Sequence, residues 1–420
     1  MPAAHMLYKF LGPLALLCQM LWPQTSQADK EDWTLSTHYD GKRFYNSDGS
    51  DKHLGDVSRF IWTSLANEKP WPKWRENPPA DPITERLTSG LRVTYINHAT
   101  VLIQVAGLNI LTDPVWSKRV SPVAFAGPKR VRAPGIPIED LPEIDLILIS
   151  HNHYDHLDTQ SLKAIRARQE KAPLIISGLG NQKLLRKLGY ETAVELDWNE
   201  STTLGETTVH FVECQHRSGR GVFDQMKTLW GSFVLETPEG NLYFAGDTGY
   251  SPHFREQGER WGPFALTLLP IGAYEPRWFM KDVHLNPKEA VQAHLDLQSQ
   301  QSLGIHFGVF QLTWEAIDEP AEDLASALID EGLAGDTFWV LEPGQGASPG
   351  SNTGAGGSNG SRPSGNGPST PGTSGPGNNK IELPQPPTSA GPGFTGGQSG
   401  ASNGANPREE PVKPEVEIKA

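Results

Sequence analysis

Residues 144–158 read IDLILISHNHYDHLD. The largely apolar run from Ile144 to Ile149 has the length and the branched side chains of a buried strand, and it delivers His151, His153, Asp155 and His156 to that strand's end. Successive side chains alternate in an extended segment, so His151 and His153 face one side, and the turn that follows brings Asp155 and His156 toward the same cavity. Four such side chains within six residues cannot all be inert packing. Neutral imidazoles and a carboxylate that converge away from water need a partner, and a divalent cation is one.

A zinc-like ion takes three or four protein ligands, so others must come from elsewhere. Three residues hold the same strand-end position: His216 after HFVECQ, Asp247 after LYFAG, and His306 after Leu303-Gly304-Ile305. The expected division puts His151, His153 and His216 on one ion and Asp155, His156 and His306 on a second, with Asp247 bridging. A water shared by ions about 3.5–4 Å apart loses its proton near neutral pH and is the expected nucleophile. Such a pair suits phosphodiester hydrolysis. Two divalent ions are therefore expected, zinc first, although iron and manganese accept the same donors.

Outward from this centre, further strands are expected at 92–97, 100–105, 110–113, 173–177, 207–213, 228–236, 242–246, 265–270, 303–307 and 336–341. Helices are expected at Thr159–Arg168 behind Asp158 as N-cap, from Asn286-Pro287 to Leu297, and over roughly 321–331. Hairpin-like strands followed by strand–helix alternation imply an α+β fold, two mixed sheets packed face to face with helices outside. Residues 90–343 make up this domain. Residues 29–89 form an N-terminal extension packed on it, where Phe60, Trp62, Trp71 and Trp74 serve either ordinary packing or an acyl-chain wall. From Gly344 to Ala420 the chain is mostly Gly, Ser, Pro and Asn, too poor in apolar surface to offset the entropy of ordering, and reads as a disordered tail.

At the other end, Lys9, the uncharged run from Phe10 to Trp22 and Ser26-Gln27-Ala28 read as a signal peptide over 1–28, implying export to a periplasm or outside the cell. Cleavage there leaves Cys214 as the single cysteine, so no internal disulfide staples the fold. A net charge of −13 excludes an electrostatic nucleic-acid binder, while the basic cluster Lys129-Arg130-Val131-Arg132 is free to meet an anionic substrate. His98 belongs either to a hairpin or to the site, and His38, His53, His210, His253 and His294 are read as structural or exposed.

The H-x-H-x-D-H pattern met by His151, His153, Asp155 and His156 resembles that of the metallo-β-lactamase superfamily, which implies a four-layer αββα sandwich. Within it, AGDTGYSPHF, LLPIGAYEPRWFMKDVHLNPKEA and GIHFGVFQLTWE resemble the N-acyl-phosphatidylethanolamine-hydrolysing phospholipase D family across about residues 90–341. The resemblance implies release of an N-acylethanolamine and phosphatidic acid from a membrane phospholipid, with peripheral membrane contact. It implies that Asp113 orients a ligand and that His284 faces the substrate beside the catalytic Asp155 and Asp247, protonating the leaving group or contacting the phosphate. Phe125 and Val283, expected substrate contacts, are more apolar than the family's residues there. A lactonase on the same fold, or an envelope binding protein tethered by its tail, are the alternatives.

Overall fold

The computed structural model describes Trp33 and residues 36–47, 59–60, 62–64, 67–221, 223–350 and 416–417. The signal-peptide segment 1–28 and nearly all of the tail lie outside the described residues. In chain order the elements are β1 (Leu91–Asn97), β2 (Thr100–Val105), β3 (Leu108–Thr112), β4 (Leu146–Ile149), α1 (Thr159–Arg168), β5 (Leu174–Gly178), α2 (Gln182–Lys187), β6 (Val194–Leu196), β7 (Glu200–Leu204), β8 (Thr207–Val212), β9 (Ser232–Glu236) and β10 (Asn241–Phe244). There follow α3 (His253–Trp261), β11 (Phe264–Pro270), α4 (Arg277–Met280), α5 (Pro287–Asp296), β12 (Ser302–Ile305), α6 (Glu319–Asp330), β13 (Phe338–Trp339), β14 (Gly346–Ala347) and β15 (Val416–Glu417).

One sheet runs β14-β1-β2-β3-β4-β5-β6 and the other β13-β12-β11-β10-β9-β8-β7-β15. Alternation along β4 shows why they stack. Leu146 and Leu148 enter the core between the sheets with Phe211, Phe233, Phe244, Leu268 and Ile305. Ile147 and Ile149 turn outward, under Leu162 and Ile165 of α1 and Leu185 of α2. The second sheet's outer face is covered by α3, α5 and α6 through Phe254, Val291 and Leu324. The result is the expected αββα sandwich. Cys214 is buried and unpaired, so apolar burial, about 1.5–3 kcal/mol for each large side chain, carries the stability.

Strand direction explains where chemistry collects. β1 and β3 are each antiparallel to β2, and β4 runs parallel to β3. β8 and β10 are each antiparallel to β9, while β10, β11 and β12 run parallel. Within each sheet, therefore, β1, β3 and β4, or β8, β10 and β12, end on a common edge.

Composition placed the domain boundary at 343. The strand extends beyond it: Val93 and Thr94 of β1 pair with Ala347 and Gly346 of β14. Gly344 reaches this edge with φ +95°, a conformation that favours glycine, and its N–H donates to the Tyr95 carbonyl at 2.7 Å. The glycines there serve a turn, which bulk composition cannot distinguish from disorder.

Before β1, Phe44 is buried in the core between the sheets, and Phe60 stacks on Phe279 with centroids 4.7 Å apart. The Trp71 indole N–H donates to the Glu315 carbonyl at 2.9 Å, whereas Trp62 and Trp74 are exposed.

Candidate metal centre

The two edges bring the expected residues together. His151 Nε2 lies 2.7 Å from His153 Nδ1, with His216 Nε2 3.4 Å from the same atom. Opposite them, Asp155, His156 and His306 form a second group joined by His98. Asp247 Oδ2 stands between, 3.1 Å from His156 Nε2, 3.2 Å from His306 Nε2, 3.8 Å from His216 Nε2 and 3.9 Å from His151 Nε2. His284 joins from the loop between α4 and α5, its Nδ1 4.0 Å from the same oxygen.

The outer nitrogens are held so that the inner ones point together. His156 Nδ1–H donates to Asp113 Oδ2 at 2.6 Å, and His216 Nδ1–H donates to the Val283 carbonyl at 2.9 Å. The Ser150 hydroxyl donates to Asp113 Oδ2 at 2.6 Å, so its oxygen is left to accept from His151 Nδ1–H at 2.9 Å. Asp113 thus fixes two rings, one directly and one through Ser150, as carboxylates beside metal-binding histidines do. His98 Nε2–H donates to Asp155 Oδ2 at 3.0 Å, and its ring lies 4.0 Å from that of His306.

Backbone strain concentrates here. His98, Asp113 and His306 have φ of +51°, +30° and +63°, conformations that side-chain-bearing residues rarely adopt and that a surrounding structure must enforce. The enforcement is visible: His306 N–H donates to the His98 carbonyl at 2.8 Å, and Gly231 N–H to the Ser150 carbonyl at 3.0 Å, tying one sheet edge to the other. Gly246, at φ +61°, presses on Ser150 so closely that a Cβ would sit 2.5 Å from the serine Cβ.

Electrostatics divide the histidines. Burial holds His151, His153 and His284 well below the ordinary histidine range, takes His216 to about 4 and, with His306 beside it, takes His98 to about 3. Burial would also lower His156 and His306, but Asp247 and Asp155 face both and raise them, His306 to about 9. The same carboxyls, which burial alone would raise, are held well below the carboxylate range by the histidines around them. Two buried anions here demand positive charge, and neutral rings beside them offer lone pairs. His156 Nε2, His306 Nε2, His284 Nδ1 and Asp247 Oδ1 are buried and hydrogen-bond to no protein group. Donors in this state fit divalent cations.

Two expectations need revision. Val283 is 5% exposed, packed with Phe60, Phe279 and Met280. It serves the centre through its carbonyl, not as a side-chain substrate contact. Arg130 and Arg132 are buried rather than free for an anion: Arg130 donates to the Ser117 and Val115 carbonyls, and Arg132 to Asn77 and Glu342. Phe125, by contrast, is 81% exposed. His98, left open between hairpin and site, belongs to the site. The available signal was strand direction: a turn following β1 falls on the same edge as the ends of β3 and β4.

A beta-lactamase superfamily domain is matched over residues 108–307, the span from β3 to just past His306. The N-acyl-phosphatidylethanolamine-hydrolyzing phospholipase D 1 of Caenorhabditis elegans is 40% identical over 270 residues, covering 61% of this chain and 75% of the worm protein. The chain belongs to the metallo-β-lactamase superfamily. An uncharacterized protein from Mycobacterium tuberculosis is 41% identical over 264 residues, 62% of this chain and 69% of its own. Among solved structures, the isothiocyanate hydrolase from Delia radicum gut bacteria shares the superfamily fold at 20% identity and a TM-score of 0.50, over 61% of this chain and 98% of that one. Membership and the His/Asp constellation make this superfamily protein a metal-dependent hydrolase.

Proposed function

We propose that the chain is an exported phosphodiesterase that hydrolyses N-acyl-phosphatidylethanolamine-type phospholipids to N-acylethanolamine and phosphatidic acid at a two-zinc centre. The observation that carries this is the pair of ligand groups set on either side of Asp247, in a chain 40% identical to a worm protein named for that hydrolysis. His151, His153 and His216 would hold one ion, and Asp155, His156 and His306 the other, with Asp247 shared. The chemistry supplied by divalent ions there is acidification of water and neutralisation of charge building on a phosphoryl group.

The protein's own groups do the rest. Asp113 and the Val283 carbonyl keep His156 and His216 in the tautomer with Nε2 free, and His98 holds Asp155 in place. His284, neutral because it is buried with His216 and His306 beside it, is suited to taking up a proton from the reacting group before any is returned to the leaving alcohol. Two large apolar side chains stand in solvent, Phe125 and Phe223, the latter 68% exposed. They suit peripheral contact with the bilayer that supplies the lipid. Export is supported by Lys9 and the uncharged run Phe10–Trp22.

The test is to incubate purified mature protein, with its metal content measured, with N-acyl phosphatidylethanolamine and to follow both products by mass spectrometry. Equimolar N-acylethanolamine and phosphatidic acid are expected; metal-loaded protein that releases neither would end the lipid assignment.

A further inference from the structure

Among the histidines that converge on Asp247, His284 alone comes from a loop between two helices, α4 and α5. No sheet edge holds its ring, so the ring's place depends on what fixes its own backbone. The His284 N–H donates to the Met280 carbonyl at 2.8 Å, and the His284 carbonyl accepts from the Arg277 guanidinium at 2.9 Å. The same terminal nitrogen of Arg277 donates to the Tyr274 carbonyl at 3.3 Å, while the other meets both Glu289 carboxylate oxygens, at 2.9 and 2.7 Å. Glu289 also accepts from the Asn286 N–H at 3.0 Å, and its own N–H donates to the Asn286 side chain at 2.8 Å. Arg277 therefore spans the loop from the start of α4 to the first turn of α5, with the His284 carbonyl between. Packing holds the neighbouring positions: Val283 and Phe279 lie against Phe60, whose ring stacks on Phe279. A half-buried ion pair adds little stability through charge alone. What the pair with Glu289 does is aim a rigid fork of donors at one carbonyl.

We propose that Arg277 is a positioning residue for His284, bracing the loop against Glu289 so that the His284 ring stays turned toward Asp247, with Nδ1 4.0 Å from Oδ2. The role rests on the proton transfer given to His284 above and adds the group that keeps that ring in reach. Proton transfer demands hydrogen-bond geometry, so a loop free to drift would lose rate before it lost binding. Lysine can answer the Glu289 charge but cannot direct donors at Glu289 and two carbonyls at once. The loop's preceding carbonyl, that of Val283, holds the His216 ring, so metal content separates an effect on His284 from one on His216.

The test compares zinc-loaded full-length wild type, Arg277→Met, Arg277→Lys, His284→Ala and the Arg277→Met/His284→Ala double variant. Measured are kcat and KM for N-acyl phosphatidylethanolamine, metal content, and the ring resonances of histidine-labelled protein by NMR, that of His284 being the one lost in His284→Ala. In Arg277→Met kcat is expected to fall on the order of tenfold, part of the roughly 10²–10⁴-fold that a positioned proton-transfer group contributes. KM and metal content should hold, the His284 resonance should move, and Arg277→Lys should be intermediate. In the His284→Ala background Arg277→Met should cost nothing further, because the two act as one unit. An equal loss in that background would overturn the role, as would an unmoved His284 resonance or a loss of rate that merely tracks lost metal. Arg277→Lys carries the same comparisons if Arg277→Met does not fold. Should the wild type be inert toward the lipid, a displaced His284 resonance would refute the substrate and leave the positioning role standing, whereas an unmoved one would end both.

Discussion

Two buried histidine–aspartate pairs in this molecule have the same contact distance and different fates. His156 Nδ1 meets Asp113 Oδ2 at 2.6 Å, and His38 Nε2 meets Asp197 Oδ1 at 2.6 Å. The second pair is closed: the other His38 nitrogen lies 3.4 Å from Thr37 Oγ1, and the ring stacks on Trp198 at 4.1 Å. The first is open, because His156 Nε2 hydrogen-bonds to no protein group and faces Asp247. What makes a site is the donor atom left over after packing is satisfied. The His38–Asp197 pair instead fastens the segment before β1 to the loop after β6.

Removing metal should separate the two pairs most sharply. Dialysis against a chelator is expected to abolish hydrolysis while the far-ultraviolet circular dichroism stays unchanged, because the core between the sheets uses no ligand residue. The melting midpoint should fall, since an ion bound only by the native state stabilises it. Loss of secondary structure on chelation would mean that the open pair is also a structural clamp.

Next in size is Asp247→Asn, which removes the shared charge and nearly keeps the shape. Turnover should drop on the order of 10²–10³-fold, as when one preorganised electrostatic group is removed, with metal content per chain falling too. Full activity with full metal occupancy would remove Asp247 from the centre. Asp113→Asn should act more gently, weakening metal affinity by roughly 10–100-fold through loss of the group that orients His156 and His151; a competition assay with a fluorescent chelator reads it directly.

The smallest effect belongs to the closed pair. Burial would raise the Asp197 carboxyl, but hydrogen bonds from His38, the Trp198 N–H and Ser36 hold it below its ordinary 3.8. A carboxyl lowered in the folded state contributes stability above its unfolded pKa and loses it as pH falls through the folded one. Asp197→Asn should therefore cost about 1 kcal/mol at pH 7, and the deficit relative to wild type should shrink below pH 4 in urea titrations, with turnover at pH 7 unchanged. A deficit that persists at acid pH would show that Asp197 acts through shape rather than charge.

Much of the candidate site was legible because each residue proposed as a ligand follows an apolar run: His151 after β4, His216 after β8, Asp247 after β10 and His306 after β12. The fold was legible for the same reason, since alternation and strand–helix order already imply stacked sheets. Three features were hidden for physical causes. The Val283 carbonyl acts through the backbone, which leaves no mark in side-chain identity. Arg130 looks like any surface cation until its carbonyl partners are seen. Elements as short as α2 and β6 span too few residues to show a period, and the two residues of β14 sit in a glycine-rich context that reads as coil.

That last strand has a practical meaning for anyone shortening the chain. Gly346–Ala347 pairs with β1, and the turn that follows β1 presents His98 to Asp155. A stop codon placed at the compositional break near residue 343 would unzip one edge of the sheet and loosen the active-site turn at its far end. Setting the stop after residue 350 keeps that fastening.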